Sequence, residues 1–538
     1  METRELQPCP LCSKLEEVQF QRHAAWASPD VIGRLAERKP GWIKTEGACP
    51  ACVQQALLEV LLRGDAQDVH ESIQSAWPLD AESAFGALPT PLRMHADPQY
   101  TGRGVTLAMV DSGFYPHPDL CLPVNRIRAW ANASADAVAE CRFKRDDQPA
   151  WPEWDGAHVY QWHGMMTSCA AAGNGWLSRG LYRGLACDSD VVLVQTADAE
   201  GRITDDSIVR ALRWIGAHAG EFGIRVVNLS VCGDQPVMDG PIDGAIQELS
   251  AAQVTVVAAA GNGGQRMLVP PATSEHALTV GGLDDHNTIP REDSEVWHSN
   301  FGEPRAGVQK PEVVAPSVWV VAPLLPGTET ARQAIELFER RQNGDESVEG
   351  EIAGEKLVRP EYKLTEGTSF ASPIVASVIC CMLEANPDLS VAEVRRLVIA
   401  SAVPVPGASA ERQGAGAVDA GMAVALAARA GSGVLQGYAN SPSVSDGVVR
   451  FLMLRPGAQA VEVRGSWNDW AAPGIAGEQI QNGVWVADLR GLPPGRYEYK
   501  FLVDGVEWRD DPGNPRKAPD GQGRFNSVLL VPAVEKAA

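Results

Sequence analysis

Three residues far apart in the chain, Asp111, His163 and Ser369, are together of the types that perform nucleophilic acyl transfer. A serine hydroxyl attacks poorly until a base takes its proton, and histidine titrates in the right range to do so. The histidine needs a carboxylate to fix its tautomer and stabilise its cation. The developing oxyanion needs donors already in place. Singly, each residue has a plainer reading. Asp111 ends an apolar run before Ser112-Gly113, as turn residues do. His163 opens a small-residue helix, where a histidine is commonly structural. Ser369 opens another helix, where serine commonly serves as an N-cap.

The elements around them favour a shared site. Apolar runs at Val105–Val110, Val191–Gln195, Arg225–Leu229 and Val254–Ala259 alternate with helical segments at Asp205–His218, Pro241–Ala252 and Ser369–Ala385. This alternation predicts an α/β fold, a doubly wound parallel sheet covered on both faces. Ser390 with Glu393 forms a capping box that starts a further helix. Pro326 to Leu364 is charged and helix-prone at Ala331–Arg341, and reads as a surface insertion.

Residues 95–430 resemble the subtilase family of serine peptidases. The resemblance rests on Val105-Thr-Leu-Ala-Met-Val-Asp-Ser-Gly113, His163-Gly-Met-Met-Thr-Ser-Cys-Ala-Ala-Ala172 and Gly367-Thr-Ser-Phe-Ala-Ser-Pro-Ile-Val-Ala376. Pro270-Pro-Ala272, Ser299-Asn300-Phe301-Gly302 and Lys310-Pro-Glu-Val-Val-Ala-Pro316 are similar to signposts between those motifs. The resemblance implies a serine endopeptidase that hydrolyses protein or peptide substrates through an acyl-enzyme. Ser369 is then the nucleophile, His163 the general base and acid, and Asp111 its orienting partner. Ala258-Ala-Ala-Gly-Asn262 resembles the segment that supplies the oxyanion-hole asparagine, Asn262, flanked by Gly261 and Gly263. Asn228-Leu-Ser-Val-Cys-Gly233 resembles the segment lining the substrate cleft, through Ser230, Val231, Cys232 and Gly233. An inactive scaffold on the same fold, binding glucan or protein partners, is the alternative.

There are departures from the family pattern. The stretch between Asp111 and His163 is longer than in compact members, and carries Trp151, Trp154 and Trp162 as candidates for the cleft rim. Cys232 stands where glycine is usual, which implies a narrowed pocket, and Gly263 after Asn262 offers no charge where one is often carried; together they imply a small or apolar preference. Calcium sites are common in the family, but no ligand set is matched here, and no inhibitory propeptide is matched in residues 53–95.

Two modules flank this zone. Cys9-Pro-Leu-Cys12 and Cys49-Pro-Ala-Cys52, within residues 1–75, form two knuckles whose four thiolates suit a structural tetrahedral zinc. Unliganded core or redox cysteines are the other reading. Gln54 to Leu62 is helix-like. Leu88-Pro-Thr-Pro-Leu92 reads as a linker, and so does 431–447, rich in Gly, Ser and Pro. Residues 448–533 then turn to short alternating strands, with Asn482-Gly483 and Asp504-Gly505 as hairpin turns, and predict a small β-sandwich. This zone resembles the glycogen-binding module of AMP-activated kinase β subunits, through Gly465-Ser-Trp-Asn-Asp-Trp470, Tyr497-Glu-Tyr-Lys-Phe501 and Phe525-Asn526. The resemblance implies Trp470 and Trp508 as sugar platforms, with Lys500 and Asn526 as hydrogen-bonding groups for an α-glucan. Gln522 departs from the apolar residue used there. A module that docks on a protein partner or on the peptidase is the alternative.

The bulk properties constrain the rest. At 538 residues the chain exceeds one core and implies several domains. A net charge of -22 argues against a nucleic-acid partner, because phosphate repels an acidic surface. No basic stretch followed by an apolar run opens the sequence, and no long apolar window suggests a membrane span, so a cytoplasmic location is expected. The odd number of cysteines, 11, disfavours a fully paired disulfide framework. The seven outside the two knuckles read as buried small hydrophobes.

Overall fold

The computed structural model describes residues 6–532 apart from 14, 18–28, 49–51, 53–55, 57–86, 152–159, 179, 234–238, 289–290, 292, 306–307, 431–440, 446, 456–457, 482–483, 512–513, 515 and 523. Its centre is a nine-stranded sheet. The strands are β1 (Thr106–Asp111), β2 (Ile127–Asn132), β3 (Ala139–Arg142), β4 (Asp190–Gln195), β5 (Ile224–Leu229), β6 (Thr255–Ala259), β7 (Ala277–Asp284), β8 (Glu295–Val296) and β9 (Val313–Pro316). They run in the order β8-β7-β6-β5-β1-β4-β2-β3, with β9 beside β7. Every pair is parallel except β2/β3 and β7/β8 at the edges.

Parallel strands are buried on both faces, and their side chains alternate between them. Leu107, Met109, Val191, Leu193, Val226 and Val257 pack on one side with α1 (Gln161–Ala172) and α4 (Thr368–Ala385). Ala108, Val110, Val192, Val194, Val227 and Val256 pack on the other with α2 (Asp205–Phe222) and α3 (Pro241–Ala251). This is the doubly wound arrangement predicted. Helix α4 is long and apolar enough to span a bilayer, yet 83% of that window is buried in the core. A further helix, α5 (Val391–Ser401), starts at the capping box of Ser390 and Glu393.

The structure corrects several readings. Leu88 to Leu92 is not a linker: Leu88, Thr90, Leu92 and Arg93 are all buried. Arg93 explains why, since its guanidinium meets Asp285 at 2.7 and 2.8 Å and the carbonyls of Val318 and Trp319 at 2.7 Å. A buried cation needs such a full set of acceptors, and these fasten the segment to the central α/β domain. Trp151 is a core residue, stacked on Trp130 at 5.6 Å, because two indoles bury more apolar area together than at a rim. Trp154 lies outside the described residues, as do Asn482-Gly483 and most of Gln54–Leu62. Cys232 is exposed, unlike the buried Cys169, Cys187, Cys380 and Cys381. The 326–364 insertion carries a helix at Glu329–Gln342 and its own small apolar cluster. Its end is not on the surface: Tyr362 is fully buried and donates to Asp119 Oδ2 at 2.7 Å.

The N-terminal region shares a cluster with this insertion, where Cys9, Leu35, Trp42 and Cys52 pack with Tyr182, Val358 and Tyr362. At the other end stands the β-sandwich. One sheet joins Ser443–Ser445, Val448–Leu454, Val484–Arg490 and Glu478–Gln481, so the last part of the expected 431–447 linker is an edge strand. The other is built on Val461–Gly465, Gly495–Val503 and Phe525–Val531. Asp504 and Gly505 turn there with φ of 49° and 72°, as a tight hairpin needs.

Candidate active site

Strands β1, β5 and β6 are neighbours in the sheet, and their carboxyl ends deliver Asp111, Ser230 and the Gly261-Asn262 loop side by side. In open parallel sheets this is the end where ligands bind. Asp111, fully buried, accepts from His163 Nδ1 at 2.6 Å through Oδ1. The backbone N–H of Ser112 donates to the same oxygen at 2.7 Å, and Thr167 donates to Oδ2 at 2.8 Å. These donors replace the water that the buried carboxylate has lost. His163 is partly exposed. Burial opposes its charged form, but the charge of Asp111 and the hydrogen bond to it prevail, and the imidazole pKa is raised above its ordinary value.

Two local features let His163 reach Asp111. Gly164 lies so close that a Cβ there would sit 2.2 Å from Gly113 O and 3.0 Å from Asp111 Cβ. Thr167 follows His163 by four positions, so one helix face carries both groups that meet the carboxylate. Trp162, at 43% exposure, stands edge-on to the His163 ring with centroids 5.2 Å apart.

Ser369 is the second residue of α4 and is half-buried. Its neighbour Phe370 lies 6.1 Å from the His163 ring, which brings the start of this helix to the histidine. The Ser230 hydroxyl, fixed by Asn228 Nδ2 at 2.9 Å, donates to the Ser369 carbonyl at 2.9 Å. Ser230 therefore braces the helix start. The N-terminal N–H groups and dipole of α4 favour negative charge at this point.

Asn262 is exposed, but its carboxamide is oriented. Oδ1 accepts from Thr368 N at 2.9 Å and from Thr368 Oγ1 at 2.8 Å, which leaves Nδ2 as the donor end. The Thr368 hydroxyl in turn accepts from Gly261 N at 3.0 Å. Gly261 has φ of +94°, and a Cβ there would strike Asn300 Nδ2 at 2.7 Å. Asn300 Oδ1 also takes the Gly263 N–H at 2.9 Å. Of the remaining cleft residues, Val231 and Gly233 are buried, and Gly233 donates to Pro270 O at 2.8 Å. Cys232 alone among residues 230–233 offers an exposed side chain.

Thr167, Thr368 and Asn300 were not singled out from sequence. The helical spacing from His163, and adjacency to Ser369, were the available signals for the two threonines.

At the N-terminus, the thiols of Cys9, Cys12 and Cys52 all lie within 4.8 Å of one another, with Cys9 and Cys52 Sγ 4.0 Å apart. Cys49 lies outside the described residues. Three converging thiols suit a soft metal. On the sandwich, Trp470 and Trp508 meet edge to face at 6.1 Å, and the Arg464 guanidinium lies 5.6 Å from the Trp508 ring. Lys500 Nζ is paired with Asp520 at 2.5 Å, and Asn526 Nδ2 donates to Glu498 at 2.9 Å.

Residues 450–537 match the family model described as the glycogen recognition site of AMP-activated protein kinase. Residues 102–416 match the model described as the subtilase family. Serine protease AprX of Bacillus subtilis (strain 168) is 30% identical over 310 residues, covering 55% of this chain and 61% of AprX. Subtilisin BL of Lederbergia lenta is 26% identical over 295 residues, covering 55% of this chain and 82% of that protein. A solved protease structure from Pseudoalteromonas arctica PAMC 21717 aligns at 22% identity and a TM-score of 0.45, covering 63% of this chain and 94% of its own. The chain thus spans about three fifths of AprX. The stretch 102–416 is more than half of the chain and holds Asp111, His163, Asn262 and Ser369, and this protein belongs to the subtilase family.

Proposed function

We propose that this protein is a serine endopeptidase acting on protein or peptide substrates. Ser369 Oγ attacks the scissile carbonyl while His163 takes its proton, and Asp111 holds the resulting imidazolium. Asn262 Nδ2 and the Ser369 N–H receive the oxyanion. His163 then returns the proton to the leaving amine, and water resolves the acyl-enzyme by the same route. The observation that carries this reading is the Asp111–His163 hydrogen bond of 2.6 Å beside the start of α4, with Asn262 oriented by Thr368. A fluorophosphonate probe tests it. Purified protein should be labelled, and Ser369→Ala should abolish both labelling and peptide hydrolysis, a loss of roughly 10⁶-fold in turnover, the scale reached in subtilisin. Unlabelled parent protein under all conditions would turn the reading to an inactive scaffold.

Cys9, Cys12, Cys49 and Cys52 are proposed to hold one structural zinc, supported by the convergence of the three described thiols. Thiolate ligation would close the coordination shell and leave no position for catalysis. Elemental analysis should give one zinc per chain, lost in Cys9→Ser with Cys12→Ser; unchanged content would refute the assignment. Cys169, Cys380 and Cys381 are thiols buried in the core, which suits the cytoplasmic, reducing setting proposed with this function. The sandwich is proposed to bind an α-glucan and so to place the peptidase near its substrates. Its family match and the Trp470–Trp508 pair support this.

A further inference from the structure

The seam between the peptidase domain and the sandwich forms a half-open cavity of about 410 Å³, the scale of a small-ligand site. Nearby the seam is packed. Leu452 and Val484 of the sandwich join the main hydrophobic cluster of the peptidase, and Val308 pairs with Arg516 in a single bridge. The peptidase side of the cavity includes Glu312, Arg395 and Ala410; the sandwich side includes Lys500, Trp508 and Phe525.

The chemistry of this lining selects among ligands. Most of its charges are already matched: Arg395 pairs with Glu312, Lys517 with Asp510, Arg509 with Glu507 at 2.5 Å and Lys500 with Asp520 at 2.5 Å. Apart from the exposed Arg524 at the rim, an anion would have to break one of these pairs. An apolar ligand would strip water from all of them without replacing it. A neutral polyol does neither. Its hydroxyls donate to the carboxylates and accept from the cations, while the apolar face of a pyranose ring covers an indole. Trp508 supplies that indole and stays at 37% exposure, which leaves part of a large apolar ring for a ligand to cover. The lining mixes charged groups with apolar ones such as Ile399, Val405 and Phe525, the mixture that a pyranose ring with its apolar face and polar rim requires.

Resting on the glucan reading of the sandwich, we propose that the glucan site is composite. A terminal stretch of an α-glucan enters the seam and is held by Trp508 and Lys500 from the sandwich together with Arg395 and the 404–410 loop from the peptidase. Trp470 and Asn526 do not line this cavity, so they hold the part of the chain that lies outside it. Sugar binding and the docking of the two domains are then thermodynamically linked.

Hydrogen–deuterium exchange on the full chain carrying Ser369→Ala, with and without maltoheptaose, tests this. The expected result is slowed exchange both at residues 507–509 and at residues 404–414 of the peptidase. Protection confined to the sandwich would overturn the composite site and leave the glucan reading intact. No protection anywhere, with no retention on immobilised glucan, would overturn both. Ala410→Phe gives an independent measurement, since it fills the cavity from the peptidase side at a half-buried helix start. Maltoheptaose affinity should fall tenfold or more, with the melting temperature in the absence of sugar unchanged. Parental affinity in that variant would also overturn the composite site. If the melting temperature itself falls, the exchange experiment on the parent decides.

Discussion

The proposed catalytic cleft and the proposed sugar face of the sandwich both gather polar side chains around aromatic ones, but their hydrogen bonds do opposite work. In the cleft the internal bonds aim a group and leave its reactive end for substrate. Asp111 spends its oxygens on His163, Ser112 and Thr167, and Asn262 spends Oδ1 on Thr368. On the sugar face the internal bonds occupy the groups expected to bind. Lys500 is taken by Asp520, Asn526 by Glu498, and Arg464 stands over Trp508. Preorganised donors act fully when charge develops on the substrate, because nothing must be broken first. Paired donors have already met their strongest partner, so an added sugar hydroxyl returns little net free energy. Large effects are therefore expected from single changes in the cleft, and small ones on the sugar face.

Asp111→Asn should have the largest effect in this contrast, cutting turnover by about 10⁴ because the imidazole loses its tautomer control. Steady-state kinetics on a peptide substrate would show it; a loss under tenfold would mean that Asp111 does not orient His163. Asn262→Ala should cost roughly 10² to 10³ in kcat with little change in KM, as for an oxyanion donor. A change in KM alone would place Asn262 in ground-state binding instead.

The pH profile sharpens the same side. His163 must be neutral to act as base, and Asp111 raises its pKa. The acid limb of kcat/KM should therefore lie above the ordinary histidine value of about 6.5, with activity lost as pH falls through it. In Asp111→Asn the residual limb should move to lower pH. The linked stability has the opposite sense. The His163–Asp111 ion pair stabilises the fold fully below about pH 6.5, and that contribution is lost as pH rises through the raised pKa.

The smallest effect is expected from Asp520→Asn. The substitution keeps an oxygen for the Gln522 and Arg524 N–H groups but releases Lys500 from its ion pair. Maltoheptaose affinity, measured by calorimetry, should rise a few-fold, the worth of about one net hydrogen bond. A rise of a hundredfold would show that the sugar face is held shut by this pair, and would erase the contrast with the cleft.

How much was legible varies with the reach of the interaction. Strand β1 and helices α2, α3 and α4 were readable to within a few residues, because burial on two faces leaves unbroken apolar runs and amphipathic faces leave a helical period. The exposed edge strand β3 has no such run and was missed. Leu88 to Leu92 was misread because its two prolines mark turns in isolation, whereas Arg93 next to them finds its acceptors on residues about two hundred positions away. Trp151 was misplaced for the same reason: its partner Trp130 sits on a strand the sequence did not show.

By itself the sequence determined the chemistry on offer and the alternation of elements, since residue type fixes what a side chain can donate, accept or attack, and local periodicity fixes the element it stands on. It contained Asp111, His163, Asn262 and Ser369 as residue types at the ends of elements. Only the tertiary structure decided which atoms meet. That Thr368 orients Asn262, that Ser230 braces the start of α4, and that Trp508 lines a seam between two domains all depend on strand order and domain docking. Those are set by the packing of surfaces distant in the chain, and no local pattern encodes them.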